Sequence, residues 1–288
     1  MRLGGFFHAR TIDQIEPLCE KLDCYGLSAV HAPPALEAMS PDAAAAFGAE
    51  APRLGIVVGE AGFWQNLMTR DDAARRQRIE TVRQMLRRAD DMGCRCVVSL
   101  VGTWDPSDRP LAPTPEQFTP AFEDAFREVV LRILDGLDLR TTRYAIEPWP
   151  NTFFYQPQDI RQFIDRVDHP AFAVHLDQMN LVSQANYFHT TELIEQTFEL
   201  LADRVASVHL KDVRWDYPHL MLKLDEVTIG DGVMDYDTYL KRLSALPADM
   251  PCFCEHWRTE EDYAANFERL HALAAKAGVK FLPRVRQA

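Results

Sequence analysis

The feature that most restricts the fold is a regular alternation of short apolar runs with longer amphipathic stretches along all 288 residues. The short runs are typical of strands and lie near residues 3–7, 24–30, 54–59, 95–101, 143–147, 171–177, 205–211 and 252–256. The longer stretches are typical of helices and lie near 11–22, 41–50, 71–92, 115–135, 157–167, 189–202, 235–246 and 260–277. Strict alternation predicts parallel strands joined by helical crossovers. We therefore expect an α/β fold, a closed (β/α)8 TIM barrel forming one domain over residues 1–288, with a doubly wound open sheet as the alternative.

The charge and hydropathy of the chain restrict the kinds of partner that it can bind. The formal net charge is −12 and the sequence pI is about 5.2, which argues against a nucleic acid or an anionic membrane as the partner. No apolar stretch approaches the roughly 20 residues of a membrane span, and residues 1–5 do not resemble a secretory signal. We therefore expect a cytoplasmic protein with a small-molecule substrate, and the sequence leaves open whether it forms a homo-oligomer.

The cysteines predict buried thiols rather than a metal site. Cys94 and Cys96 form one C-x-C pair on a predicted strand, and Cys252 and Cys254 form another. This spacing is shorter than the one usual for zinc thiolates, and free cysteine is most often a small buried residue. Disulfides are not expected without signs of secretion.

Four strand-like runs in the C-terminal half end in a side chain that can bind a metal ion. These side chains are Glu147, Asp177, His209 and Glu255. Parallel α/β folds carry their chemistry at the carboxyl ends of the strands, and three carboxylates with one imidazole suit a divalent cation such as Mn, Mg, Co or Zn. The steps between them fit strand-helix units of roughly 30 residues, with a longer step before the last. The sequence predicts one divalent metal ion held by all four; the alternative is four unrelated polar strand ends.

Two connections are longer than a compact barrel needs, residues 102–110 and 211–232. Both leave the carboxyl end of a predicted strand, so both should lie at the mouth of the barrel. Long loops in that position usually form walls or lids over a substrate.

The order of these motifs resembles the xylose isomerase-like barrels, a superfamily of sugar and sugar-phosphate isomerases and epimerases that also includes endonuclease IV. The resemblance covers nearly the whole chain and is carried by residues 58–60, 89–93, 145–148, 175–180, 208–212, 230–236 and 254–255. It implies one Mn-like ion bound by the four strand-end side chains. It also implies that Glu147 and Glu255 are the catalytic pair. The substrate would be a keto-sugar, sugar phosphate or polyol whose keto and neighbouring hydroxyl oxygens bind the metal ion. The two carboxylates would remove and return a proton on the carbon that carries that hydroxyl.

The outcome of that proton transfer is open from the sequence. Return of the proton to the other face of the enediolate gives epimerisation, and return to the neighbouring carbon gives isomerisation. Loss of a hydroxyl instead gives dehydration of the inositol or dehydroshikimate type, although the dehydroshikimate branch has histidine where Trp149 stands. The epimerases have an acid at the position of Phe153 and histidine at that of Asn180. Endonuclease IV also has that histidine, so a DNA repair enzyme is the least favoured alternative for this acidic chain.

Further residues at or near the strand ends are candidates for binding a carbohydrate substrate. They are His8, Glu60, Trp104, Trp149, Asn180, Lys211 and Arg214. The family has a substrate-binding arginine one residue away from the position of Arg214, and Lys211 belongs to a His-x-Lys-Asp motif found in its sugar-phosphate members. Aromatic faces suit the C–H surfaces of sugars. His256 follows Glu255 and should point away from the barrel interior by strand alternation.

Overall fold

Eight parallel strands enclose a barrel in the computed structural model, which describes residues 1–286. These eight and two further strands are, in chain order, β1 (Arg2–Gly4), β2 (Ala29–His31), β3 (Val57–Phe63), β4 (Cys96–Ser99), β5 (Arg143–Ile146), β6 (Phe172–Asp177), β7 (Val205–Leu210), β8 (Asp212–Trp215), β9 (Leu224–Val227) and β10 (Pro251–Cys254). The barrel runs from β2 to β7 in chain order, then through β10 to β1, while β8 and β9 pair only with each other. The Ser28 N–H donates to the Leu3 carbonyl at 2.9 Å, which joins the two ends of the sheet.

Helices follow the barrel strands and cover the outside of the sheet. They are α1 (Ile15–Cys24), α2 (Pro41–Arg53), α3 (Asp72–Met92), α4 (Pro120–Leu134), α5 (Pro157–Val167), α6 (Thr190–Leu201), α7 (Tyr236–Ser244) and α8 (Glu260–Lys276). The sequence sets both ends of α3. The Asp71 carboxylate accepts the N–H groups of Ala73 and Ala74 at the start, and Gly93, at a φ of 72°, ends the helix. Among residues 1–286, no helix combines the length and apolar character needed to cross a membrane.

The prediction of a TIM barrel is confirmed, and the open sheet is excluded. Some predicted boundaries are wrong. The strand predicted at 24–30 begins later, because α1 continues through Cys24 and β2 starts at Ala29. The connection predicted as a loop over 211–232 contains the antiparallel hairpin of β8 and β9. The buried Asp212 carboxylate ties the base of this hairpin together by accepting the backbone N–H groups of Gly230 and Met234 at 2.9 and 3.1 Å.

One aromatic ring fills the lower part of the barrel interior. The ring of Phe253, on β10, approaches β1 and β3 at two glycines. A Cβ atom at Gly4 would lie 2.5 Å from this ring, and one at Gly59 would lie 2.6 Å from it. No side chain larger than hydrogen fits at either position, so the two glycines create the space that the ring occupies.

A register shift in β3 turns an acidic side chain into the barrel. Val30 on β2 pairs with Val58, but the next residue, His31, pairs with Glu60, so Gly59 is an extra residue in β3. Such an irregularity reverses the normal alternation of side chains and redirects the residues that follow it. Glu60 therefore points inward and is 2% exposed. A similar shift occurs between β6 and β7.

The four cysteines of the two C-x-C pairs are buried free thiols, as predicted. They lie in β4 and β10 or just before β4. Burial raises the pKa of Cys94, Cys252 and Cys254 to about 12. Thiols held in this state are poor metal ligands, because the thiolate is the form that binds.

Candidate metal centre

The four predicted metal ligands meet at the mouth of the barrel. Asp177 ends β6, His209 lies in β7, and Glu147 and Glu255 directly follow β5 and β10. One ligand atom of each lies within 4.8 Å of those of the other three. His209 Nδ1 is 2.6 Å from Glu255 Oε1, 3.7 Å from Glu147 Oε1 and 3.9 Å from Asp177 Oδ2. We call these four residues the metal-ligand group.

The metal-ligand group is buried, so its charges interact through little solvent. Side-chain exposure is 0% for Asp177, 2% for His209, 6% for Glu147 and 19% for Glu255. Burial lowers the pKa of His209, but the surrounding carboxylates, above all Glu255, outweigh it and raise that pKa well above its usual value. Burial likewise raises the pKa of Glu255, but the positive charges of His209 and Lys211 outweigh it and hold that pKa far below its usual range.

Lys211 brings a positive charge into the metal-ligand group. Its buried Nζ lies 2.8 Å from Asp177 Oδ2 and 2.5 Å from Glu255 Oε1. Burial lowers the pKa of Lys211, but these two carboxylates outweigh it and raise the pKa above its usual value. The three carboxylates and this ammonium leave two net negative charges when His209 is neutral. One divalent cation would balance that charge.

The unpaired atoms of the group also suit a metal ion. Three buried atoms have no well-aligned hydrogen bond within residues 1–286: Asp177 Oδ2, His209 Nδ1 and Glu255 Oε1. Their close contacts are charge contacts that lack the angles of a hydrogen bond. Buried polar atoms are normally hydrogen-bonded, and carboxylate oxygen and imidazole nitrogen are common ligands of divalent cations. The residues present therefore fit one divalent metal ion.

A cavity of about 400 Å³ opens beside the metal-ligand group. Its polar wall is formed by Glu147, His209, Glu255 and His256. Its apolar wall is formed by Trp64, Leu100, Pro110, Leu111 and Trp149. No lysine or arginine among residues 1–286 lines this cavity. A site with one polar and one apolar wall suits a small molecule with a hydroxyl edge and a C–H face.

Three of the predicted substrate-binding residues lie at this site. Trp149 lines the cavity. Asn180 lies beneath it, and its side-chain amide donates to Glu147 Oε1 at 3.1 Å. Lys211 contacts Asp177 and Glu255 as described above. The side chains of Asn180 and Lys211 therefore hold the ligand carboxylates in position.

The other four predicted substrate-binding residues lie elsewhere. Trp104 packs against Phe122 with ring centroids 4.9 Å apart, next to α4. Arg214 is exposed on β8, and His8 is exposed after β1. Glu60 is buried beneath His209, with Oε1 3.1 Å from His209 Nε2. The structure does not bring these four side chains to the wall of the cavity that carries the metal-ligand group.

His256 lines the cavity, so the prediction that it points away from the barrel is wrong. Strand β10 ends at Cys254, and His256 has a φ of 68°, so strand alternation no longer applies there. Its Nδ1 lies 2.9 Å from Glu226 Oε2 on β9, and its Nε2 lies 3.4 Å from Glu255 Oε1. The hairpin of β8 and β9 thus reaches the polar wall of the cavity through His256.

Glu60 and His175 form a buried layer beneath the metal-ligand group, and of the two only Glu60 was among the predicted site residues. His175 Nδ1 lies 3.3 Å from Glu60 Oε2, and the rings of His175 and His209 pack edge to face with their centroids 3.9 Å apart. His175 precedes Asp177 by two residues on β6, so strand alternation predicts that both face the interior. That signal was sufficient to find His175. No comparable signal existed for Glu60, whose direction depends on the register shift in β3.

The chain matches a known family of proteins with this fold. The model of the xylose isomerase-like TIM barrel family matches residues 17–283. The chain belongs to this family. The resemblance drawn from the sequence motifs is thereby confirmed.

Solved structures show the same barrel at low sequence identity. A 3-keto-D-glucoside 4-epimerase from E. coli is 17% identical, with a TM-score of 0.66 over 96% of this chain and 99% of the epimerase. A xylose isomerase-like TIM barrel protein from Mycobacterium smegmatis in complex with magnesium is 18% identical, with a TM-score of 0.64 over 91% of this chain and 88% of that protein. At such identities the likeness shows the fold alone.

One curated relative matches part of the chain. It is the 3-oxo-isoapionate decarboxylase of Pectobacterium atrosepticum, 26% identical over 127 residues, or 43% of this chain and 44% of the relative. The match thus spans less than half the length of that protein. Proteins similar to this chain include an epimerase and a decarboxylase, so membership of the family does not fix the reaction.

Proposed function

We propose that this protein is a divalent-metal-dependent isomerase or epimerase of an unphosphorylated keto-sugar or polyol. The observation that supports it is the buried metal-ligand group in a cavity with one polar and one apolar wall. Glu147, Asp177, His209 and Glu255 would hold the ion, which when bound polarises the neighbouring keto and hydroxyl oxygens of a substrate and acidifies the C–H between them. The native metal is open among Mn, Mg, Co and Zn, since carboxylate-rich sites accept several.

Glu147 and Glu255 are the proposed proton carriers. They follow β5 and β10, which are separated in the barrel by β6 and β7, so the two carboxylates approach the cavity from different sides. One of them removes the proton and the other returns it to the opposite face or to the neighbouring carbon. Asn180 orients Glu147, and Lys211 keeps Glu255 ionised and therefore able to accept a proton. The apolar wall keeps water away from the enediolate anion that forms between the two proton transfers.

The absence of cationic side chains from the cavity wall favours an unphosphorylated substrate. Phosphate groups are usually held by arginine, lysine or helix N-termini. Within residues 1–286, no arginine or lysine lines the cavity, and Arg214 is exposed on β8. Lys211 is buried against Asp177 and Glu255 and so has its charge already engaged. The same reasoning counts against a DNA phosphate backbone as the substrate.

A lyase is the second candidate, supported by the similarity to the 3-oxo-isoapionate decarboxylase. Loss of CO2 from a 3-oxo acid leaves the electron pair of the broken C–C bond on the carbon next to the ketone, as an enolate. That anion is of the same type as the one formed by proton removal, and Glu147, after taking up a proton from solvent, would protonate it. If proton removal is followed by loss of a β-hydroxide ion from the enolate instead of reprotonation, the hydroxide takes up that proton to leave as water, and the protein would be a dehydratase.

The experiment is a screen of keto-sugars, polyols and 3-oxo acids with the metal-loaded protein in heavy water, followed by 1H NMR. Deuterium in substrate and product, loss of turnover with EDTA and its return with Mn²⁺ are expected for an isomerase or epimerase. Glu147→Gln and Glu255→Gln should each lose turnover by at least about 100-fold, whereas Lys241→Ala, at an exposed lysine of α7, should keep it. Release of CO2 or water without reprotonation to an isomer would assign a lyase. A protein that takes up no metal and is indifferent to EDTA would exclude both.

A further inference from the structure

We propose that Glu60 is a positioning residue for the metal centre. It accepts the Nε2–H of His209 and thereby holds the Nδ1 lone pair toward the other three ligands. The inference rests on the proposed function, because the tautomer of His209 matters only if a metal ion binds to its Nδ1 atom. It assigns Glu60 a role different from the substrate contact that the sequence suggested.

The two ring nitrogens of His209 face different surroundings. Nδ1 faces the carboxylates of the metal-ligand group, 2.6 Å from Glu255 Oε1 and 3.7 Å from Glu147 Oε1. Nε2 faces inward and lies 3.1 Å from Glu60 Oε1. An ionised carboxylate accepts hydrogen bonds and donates none, so the nitrogen beside Glu60 carries the proton. Nδ1 faces the Glu255 carboxylate and is protonated too when no metal ion is bound. A nitrogen that binds a metal must be free of its proton, so metal binding removes the proton from Nδ1 and leaves the one on Nε2.

The Glu60 carboxylate also lies close to two further histidines, His31 and His175. His175 Nδ1 lies 3.3 Å from Glu60 Oε2 and 2.5 Å from the Ser207 hydroxyl, and His31 Nδ1 lies 3.5 Å from Glu60 Oε1. The Glu60 side chain is 3% exposed. Glu60 is therefore a buried acceptor with three imidazole rings within 3.5 Å of its two oxygens.

A second metal ion is the competing explanation of this layer. Ligand atoms of Glu60, His175 and His209 lie within 4.8 Å of one another. Binding there would leave both ring nitrogens of His209 coordinated, which requires loss of the last ring proton and is costly for imidazole. The 3.1 Å separation of Glu60 and His209 suits a hydrogen bond. The pairing of a ligand histidine with a carboxylate is also a general means of fixing its tautomer.

The test compares the metal-binding properties of wild type, Glu60→Leu and Glu60→Gln. Leucine removes the acceptor, whereas glutamine keeps a carbonyl oxygen that can accept the Nε2–H but removes the charge. Metal affinity is measured with Zn²⁺ by competition with a chelator, and metal content by mass spectrometry. The His209 tautomer is read from long-range 1H–15N spectra of the zinc-loaded, histidine-labelled protein. Asp90→Asn is the matched control, because it neutralises a buried carboxylate that contacts Arg140 and Thr141 away from this site.

We expect Glu60→Leu to bind zinc about 10–100-fold more weakly than wild type, in line with other partners of ligand histidines. The Glu60→Gln variant should lose less zinc affinity, and Asp90→Asn should bind zinc as tightly as wild type. The wild-type spectrum should show His209 protonated at Nε2. If Glu60→Leu does not fold, the same spectrum and the loss in Glu60→Gln decide the question.

Two results would overturn the inference while leaving the proposed function intact. In the first, wild type binds one zinc ion, and the Glu60 variants have the same zinc affinity and the same His209 tautomer as wild type. In the second, wild type binds two zinc ions per chain and the Glu60→Leu variant binds one, which would show that Glu60 is itself a metal ligand. A wild type that takes up no zinc would instead reject the proposed function, and this inference with it.

Discussion

Lys211 Nζ lies 2.8 Å from Asp177 Oδ2, and neither side chain is exposed to solvent. An ammonium group therefore occupies the space beside a carboxylate that we assign to a metal ion. Removing two charges from water costs free energy that their attraction only partly offsets. The pair is better explained as a control on the net charge of the metal-ligand group than as a source of stability.

The first prediction concerns Lys211→Met, which keeps much of the volume of the side chain and removes its charge. The metal-free variant should be less stable than wild type by about 3–5 kcal/mol, because breaking a buried pair leaves an uncompensated charge. Metal should stabilise the variant more than it stabilises wild type, since it then neutralises the extra negative charge. Urea unfolding with and without Mn²⁺ measures both effects. Lys241→Met, at an exposed lysine, is the control, and equal metal stabilisation of both proteins would contradict the prediction.

The second prediction concerns Asp177→Asn, which removes the negative partner of the same pair. With Lys211 counted and His209 neutral, this change leaves one net negative charge at the metal-ligand group instead of two, and it takes away a ligand oxygen. We expect metal affinity to fall by more than about 100-fold, beyond the loss typical for residues that only support a ligand. Dialysis followed by mass spectrometry gives the metal content, and exchange in heavy water gives the activity. If the Asp177→Asn variant contained as much metal as wild type, Asp177 would not be a ligand.

The metal-ligand group could be predicted because its signals are local. Each ligand stands at the end of an apolar run, and Asp177 and His209 are separated by about one strand-helix unit. In a parallel barrel all strands end at the same rim, so chain order is enough to bring such side chains together. No knowledge of loop structure was needed.

The walls of the cavity could not be predicted, because they depend on loops and on strand register. Trp104 and Trp149 both follow strand ends, yet only Trp149 lines the cavity, while Trp104 packs against Phe122 on α4. The hairpin of β8 and β9 is partly exposed and pairs only with itself, so it has no strong apolar pattern. The inward direction of Glu60 arises from the pairing of β2 with β3, which is a tertiary property.

The third prediction concerns Gly59→Ala, which tests the space beside Phe253. The new Cβ atom would lie 2.6 Å from the Phe253 ring, so the ring or β3 must move. We expect a loss of about 1–3 kcal/mol in the free energy of unfolding, the usual cost of overpacking a core. Adding Phe253→Leu should recover part of that loss, because the smaller side chain removes the clash with the ring and leaves only the one with Pro251 Cβ, at 2.7 Å. Denaturant unfolding of both single variants and the double variant measures the coupling, and additive effects would contradict the explanation.

Asp90 joins α3 to the start of β5 through a buried carboxylate, which is 6% exposed. It accepts the backbone N–H groups of Arg140, Thr141 and Thr142 at 3.0, 2.8 and 3.1 Å. Burial raises the pKa of Asp90, but these donors and the Arg140 guanidinium outweigh it, and the pKa lies below its usual value. The ionised form is therefore the one that stabilises the fold.

The fourth prediction follows for Asp90→Asn as the pH is lowered. Because the pKa is lower in the folded chain than in the unfolded chain, the stabilisation is complete above the unfolded value of about 3.9 and is lost as the pH falls through the folded value. At neutral pH we expect the variant to be less stable by about 1–3 kcal/mol, the range for hydrogen bonds to a charged group. The difference from wild type should shrink as the pH drops below about 4. Urea unfolding at a series of pH values measures it, and a difference that stays constant into the acid range would mean that the charge of Asp90 does not contribute.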